Sequence, residues 1–264
     1  MGQQNGFAHP IVLMLLPTSF VFFIGFIVVE LRVDQPMINL DLFQNPLLCV
    51  NLLTGFITFV ALGGIFILIP FYLKVILGFK PIIIGLLMSV IPIMMGIFSP
   101  ISGALSDHFG SRPMTLLGLI VLFFGYITAS TLNAQTDGLG FMIRILGIGI
   151  GTGIFLSPNN SAIMGAGPKN QLGIVSGLMA ISRTLGQTAG ISIIGTLWVI
   201  RIRSLTGNWE LNDVTKAPVS AQIQALQFIF IVVATMIFIG FCFSISGYIL
   251  ERKMKYNFKQ ITSY

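Results

Sequence analysis

Arg183 lies about ten residues inside a long uncharged stretch, too deep for its head to reach water easily. Gln187 follows one helical turn later, with Thr184 and Thr188 beside it. A cation at such depth is costly unless it faces a wet cavity or a partner. The strip therefore points to a cavity or pathway for a mostly apolar ligand. The alternative is a structural cation bonded to helix carbonyls or to an acid elsewhere. Arg144 is a second candidate, although it lies only about five residues inside its stretch and can snorkel to the surface. Asn159 and Asn160 complete the polar set. Pro158, just before them, removes an N–H and frees a backbone carbonyl, which the amides can satisfy unless they face a cavity.

Other chemistry is missing. All eight acids fall in loops or at the ends of apolar stretches, so the chain lacks an obvious intramembrane proton carrier. His9 and His108 are also at the edges, and no Ser or Cys has a base within sequence reach, which excludes an intramembrane hydrolase. The later stretches contain no lysine for a Schiff base. Cys49 and Cys242 lie in apolar surroundings without His or carboxylate company, and read as packing residues. No metal site and no cofactor is expected.

The elements that must position these residues follow from the charge spacing. No charged residue precedes Glu30, and none lies between Asp41 and Lys74, Lys80 and Asp107, Arg112 and Asp137, Arg144 and Lys169, Arg183 and Arg201, or Lys216 and Glu251. A helix crosses a bilayer in roughly 20 residues. Of 264 residues 55% are hydrophobic and 8% charged, with a mean hydropathy of +0.95. Soluble domains carry roughly 25% charged residues. The chain reads as an all-α, polytopic membrane bundle of about seven transmembrane helices, at 11–29, 47–73, 82–105, 114–132, 139–164, 173–200 and 222–250. The stretches are too long and too unalternating for barrel strands.

The net charge of +6 has a plain cause in loop lysines and arginines, and no basic run with interleaved aromatics points to nucleic acid. If the tail is cytoplasmic, its side carries Arg32, Arg112, Lys169, Arg252, Lys253, Lys255 and Lys259, against Lys74, Lys80, Arg201, Arg203 and Lys216 opposite. That modest bias favours a cytoplasmic tail. Residues 31–46, which mix charges with Leu40, Leu42 and Phe43, suit a segment lying at the interface.

Gly147, Gly149, Gly151 and Gly153 alternate on one helix and do not fit a dinucleotide loop. They form two small-xxx-small pairs, Gly147/Gly151 and Gly149/Gly153, which permit close helix packing.

The most specific motif is Gly103-Ala-Leu-Ser-Asp107-His-Phe-Gly110-Ser-Arg112-Pro113. It resembles the loop signature of the major facilitator superfamily, with Gly103, Leu105, Asp107, Gly110 and Arg112 matching, while His108 and Ser111 replace basic residues. Gly110 permits a tight turn, and Asp107 can bond to a neighbouring helix N-terminus or to Arg112. Residues 6–10, Glu30-Leu-Arg32, Asp41-Leu-Phe43, Ile69-Pro70-Phe-Tyr72, residues 157–164, 173–177 and 182–186 resemble the fourteen-span drug:proton antiporters in order and spacing.

That resemblance implies that the chain covers helices eight to fourteen. Residues 1–46 would be an accessory transmembrane helix and interfacial linker, 47–250 the six-helix C-terminal half, and 251–264 a basic cytoplasmic tail. It implies a multi-pass protein of the cell membrane, surrounded by lipid. With an N-terminal half, it would move amphipathic, often cationic, compounds outward against proton entry. Gly103, Asp107, Gly110 and Arg112 would form a conformational-switch loop. Rival readings are an exporter of a specific lipid, siderophore or metabolite, and a non-transporting remnant or assembly partner.

Overall fold

The computed structural model describes residues 10–30, 40–209 and 213–261, with side chains only in part before residue 41 and none from residue 250 onward. His9, the segment 31–39 with Arg32, Asp34 and Pro36, and the side chains of the basic tail lie outside the described residues. The chain divides into two units, 1–42 and 43–264. The first contains helix α1, Pro10–Glu30, with Pro17 inside it.

The second unit is built from α2 (Pro46–Phe71), α3 (Pro81–Met88), α4 (Val90–Phe109), α5 (Ser111–Ala129), α6 (Gly138–Ala166), α7 (Leu172–Thr206) and α8 (Val219–Ile261). No strand occurs among the described residues. Among the described residues six helical spans are long and apolar enough to cross a membrane, with α3 and α4 forming one of them. The charge spacing predicts seven. The 21-residue α1, uncharged before Glu30, has the length of the remaining one, although its side chains are described only in part.

Local chemistry sets the ends. Asn45 Oδ1 accepts from the N–H groups of Leu47 and Leu48 at 3.0 and 3.4 Å, and Pro46 opens α2 without a wasted donor. The Asn45 amide also donates to Ala166 O at 2.9 Å, so one side chain caps the start of α2 and the end of α6. After Pro70, α2 widens into a π-helical turn over Tyr72–Ile76 and stops at Gly78, φ 67°. The expected span 82–105 is one crossing, Pro81–Phe109, with a local interruption of the helical ladder at Ser89, whose φ −66° and ψ −16° remain helical. The cause is Pro92, which cannot donate to the Met88 carbonyl and crowds it. Helix α7 continues past the expected 200 to Thr206, where Gly207 turns left-handed at φ 67°. The α8 backbone runs on through the expected tail to Ile261.

Helix α6 lies between α4 and α5, and its glycines make this possible. A Cβ on Gly147 would come within 2.8 Å of Gly125 Cα, and one on Gly151 within 2.5 Å of Leu122 N, both on α5. Cβ atoms on Gly149 and Gly153 would instead meet Ile91, Met94 and Met95 of α4. One glycine row thus serves each neighbour. In lipid the association of helices rests on such close contact, because the hydrophobic effect no longer drives it.

At the opposite end from Asn45, the α5–α6 turn is tied from three sides. Tyr72 donates to Asn133 O at 2.7 Å, Gln227 to Leu132 O at 2.9 Å, and Arg144 Nε to Thr131 Oγ1 at 3.0 Å.

Candidate functional site

Helix α2 organises the polar strip. Its residues Gly55, Phe59 and Gly63 recur every four positions and so form one stripe. A Cβ on Gly55 would stand 3.2 Å from Asn159 Nδ2 of α6. The Arg183 guanidinium of α7 lies over the Phe59 ring, 5.3 Å from its centroid. The Gln187 backbone would meet a Cβ on Gly63 within 3 Å. The stripe therefore takes Asn159, Arg183 and Gln187 in turn. Close approach is mutual, since Gly186 and Gly190 of α7 sit on Phe56, Phe59 and Val60 of α2, and Ser182 donates to Leu52 O at 3.2 Å.

Arg183 is about 16 Å along α7 from Leu172 at 1.5 Å per residue, about a third of the way along the helix and within the stretch long and apolar enough to cross a bilayer. It is exposed at the bundle surface with Thr184 and Thr188, while Gln187 is half-buried. Thr188 donates back to Thr184 O at 2.9 Å. Asn159 is only 2% exposed, and its Oδ1 has no hydrogen-bond donor among the described residues. Asn160 is half-buried.

The structure does not bring Arg144 to this group. Its Nη1 donates to Gly140 O at 2.9 Å, and fifteen residues of α6, about 22 Å of helix, separate it from Asn159. Arg144 reaches back toward the α5–α6 turn, as a snorkelling cation does.

The motif residues lie at the other end of the bundle. Gly103 packs on Ser157 Oγ, and Gly110 adopts φ 87°, a conformation that side chains disfavour. Asp107 is exposed in the last turn of α4 and makes no hydrogen bond or ion pair to a described residue, so the expected pairing with Arg112 or a helix N-terminus does not form. Arg112 turns inward instead. It is 6% exposed, and its Nη1 donates to Asn51 Oδ1 of α2 at 2.7 Å. Gly247 of α8 leaves room for that guanidinium, since a Cβ there would come within 2.9 Å of Nη1. Beside the loop is a cavity of about 520 Å³ lined by Leu47, Phe109, Arg112, Ser161 and Tyr248 among others.

Sequence reasoning missed Asn51, Asn45 and Phe59. The asparagines carried a signal, a polar residue inside an apolar span and an Asn-Pro pair. Phe59 carried none, being one aromatic among 23 phenylalanines. Among the described residues no cluster of His, Cys, Asp or Glu could hold a metal ion.

Comparison with known proteins gives the family. The family model of the Major Facilitator Superfamily matches residues 9–191. The riboflavin transporter RibZ of Clostridioides difficile is 27% identical over 223 residues, covering 84% of this chain and 47% of that protein. The multidrug transporter protein MdtP of Bacillus subtilis is 26% identical over 216 residues, 82% of this chain and 40% of its own. A tetracycline resistance determinant of Streptomyces rimosus is 27% identical over 197 residues, 73% and 56% respectively. The chain spans about half the length of these curated relatives. The first two of these relatives are named as transporters, and the family match covers most of this sequence. The chain belongs to the Major Facilitator Superfamily.

Proposed function

We propose that this chain supplies one half of an efflux transporter that moves a small amphipathic compound outward in exchange for protons. The supporting observation is the strip of Arg183, Thr184, Gln187 and Thr188 well inside α7, set against the Gly55–Phe59–Gly63 stripe of α2. A cation in such a place needs polar surroundings, and a water-filled route between two halves provides them. The second half, corresponding to the N-terminal helices of a fourteen-span drug:proton antiporter, would bring the proton-carrying carboxylate, since the acids of this chain stand at span ends. The half-length match to the multidrug relative supports this division. The loop from Gly103 to Arg112 then sits at the cytoplasmic end with the tail. Its inward Arg112 and the adjoining cavity let it favour one of two packings when the halves rock.

The test is drug accumulation in cells producing this chain, alone and with a matching N-terminal half, before and after the proton gradient is collapsed. The proposal expects gradient-dependent efflux only with both halves. Accumulation unaffected by either half contradicts it. The riboflavin transporter among the relatives favours a second reading, carriage of one specific metabolite. A single compound accepted out of a panel would identify that case.

A further inference from the structure

The charge on the wall points to a different substrate class from the cationic compounds that the family resemblance implies. We infer that the α2–α7 strip recognises an anionic, planar aromatic group, with Arg183 as its carboxylate- or phenolate-binding residue. This inference rests on the efflux reading above and narrows its substrate.

Three observations carry it. First, the sign of the wall is positive. Among the described residues, acids stand at span ends, Asp107 in the last turn of α4 and Asp137 at the cap of α6, whereas Arg183 stands well inside α7. No carboxylate among the described residues of this wall offers a cation a counter-charge. Second, the guanidinium is preset. The Phe59 ring holds it at 5.3 Å, and its N–H fork makes no hydrogen bond to a described residue. A planar fork of this kind matches a carboxylate with two parallel bonds, and an ammonium would be repelled. Third, the surroundings suit a flat amphipathic body. Thr184 and Gln187 also have side chains without a hydrogen bond among the described residues, and exposed Ile181 and Leu185 flank Arg183. Exposed faces elsewhere differ. On α5 and α8 they present Phe124, Ile127, Ile231 and Phe238, which suit lipid tails.

An acid contributed by the second half is the competing partner for Arg183. It would cancel the charge without using the hydroxyl and amide beside it, which makes the small-molecule reading the better fit.

The experiment uses two dyes of one three-ring scaffold, anionic fluorescein and a cationic rhodamine ester, with the whole chain in lipid nanodiscs and binding read by fluorescence anisotropy. Fluorescein is expected to bind more tightly than the rhodamine, and Arg183→Gln to weaken it on the order of tenfold, the effect of losing a hydrogen bond to a charged group. Arg183→Lys should keep the preference for the anion, and the surface change Lys216→Gln should leave it unaltered. Equal or tighter binding of the rhodamine, no fluorescein binding, or an unchanged affinity in Arg183→Gln overturns the inference. If Arg183→Gln leaves dye affinity unchanged but weakens copurification with the second half, the cation is an ion-pair partner between halves, and the inference fails. In cells carrying both halves, efflux of the rhodamine with fluorescein retained contradicts this inference and leaves the efflux reading standing. Retention of both dyes contradicts both.

Discussion

Arg112 Nη1 donates to Asn51 Oδ1 at 2.7 Å, joining the first turn of α5 to the second turn of α2 across 61 residues of chain. Both side chains are buried, at 6% and 3% exposure, and Asn51 Nδ2 has no acceptor among the described residues. The motif loop is thus held from its inner side, through its basic residue, while its acid Asp107 stays in solvent.

That contact gives an ordered pair of variants. Asn51→Ala removes an acceptor from a buried charged donor, a loss of about 1.5–3 kcal/mol. Asn51→Asp keeps the acceptor and replaces the unpartnered donor by a second one opposite the cation. Thermal unfolding in detergent should rank Asn51→Asp above Asn51→Ala. The reverse order would show that the bond contributes little.

Glycine substitutions should divide by place. A Cβ at Gly125 would lie 2.5 Å from the Gly147 carbonyl carbon, and one at Gly151 2.5 Å from Leu122 N. Gly125→Ala and Gly151→Ala must push backbones apart, at about 1–3 kcal/mol each. A Cβ at Gly177 meets nothing within 4 Å, so Gly177→Ala should stabilise α7 by about 0.5–1 kcal/mol. Unfolding midpoints of the three variants in one detergent check this. A destabilised Gly177→Ala, or unaffected Gly125 and Gly151 variants, would refute the packing account.

Gly110 tests the turn. At φ 87° an alanine is strained by about 1–3 kcal/mol. Gly110→Ala should lower the unfolding midpoint, whereas His108→Ala, an exposed neighbour, should not. Equal midpoints would mean that the turn relaxes freely.

The loop before α8 responds to acid alone. The Thr215 hydroxyl, then the Thr215 N–H and the nearby Lys216 ammonium, hold the Asp213 carboxyl below its usual value. A folded-state value below the unfolded one means that this stabilisation is complete above the ordinary carboxylate range and is lost as pH falls through the folded value. Amide exchange at Thr215 and Lys216, corrected for intrinsic rates, should be flat from about pH 5 to 8 and rise only below about pH 4. Asp213→Ala should abolish the acid step. An opening near neutral pH would implicate another group.

The crossing helices were legible because lipid is an unforgiving solvent. A charge inside a span is so costly that the gaps between charges in the sequence trace the spans. Details that depend on backbone geometry were not. Pro92 lies inside one span, and its missing N–H interrupts the helical ladder at Ser89, three residues earlier, without ending the crossing. Helix α7 outran its apolar stretch because Gly207, not the first charge, ends it. At the site, Arg183 stood out by type and depth, but its partner Phe59 looked like any other phenylalanine in an apolar run. The inward turn of Arg112 was hidden for a related reason. A cation beside a loop acid reads as that acid's partner, whereas the notch at Gly247 and the amide of Asn51 favour its burial.

Efflux through this half requires the α7 strip to face a watery route. Cysteines placed singly at Thr184 and Thr188, in a chain whose Cys49 and Cys242 are changed to Ala, can be exposed to a charged, membrane-impermeant thiol reagent in the two-half assembly. Phe124→Cys and Ile231→Cys, on exposed apolar faces, serve as lipid-facing references. The account predicts that both α7 cysteines react while the references stay unmodified. Thr184 and Thr188 cysteines as silent as the references would contradict it.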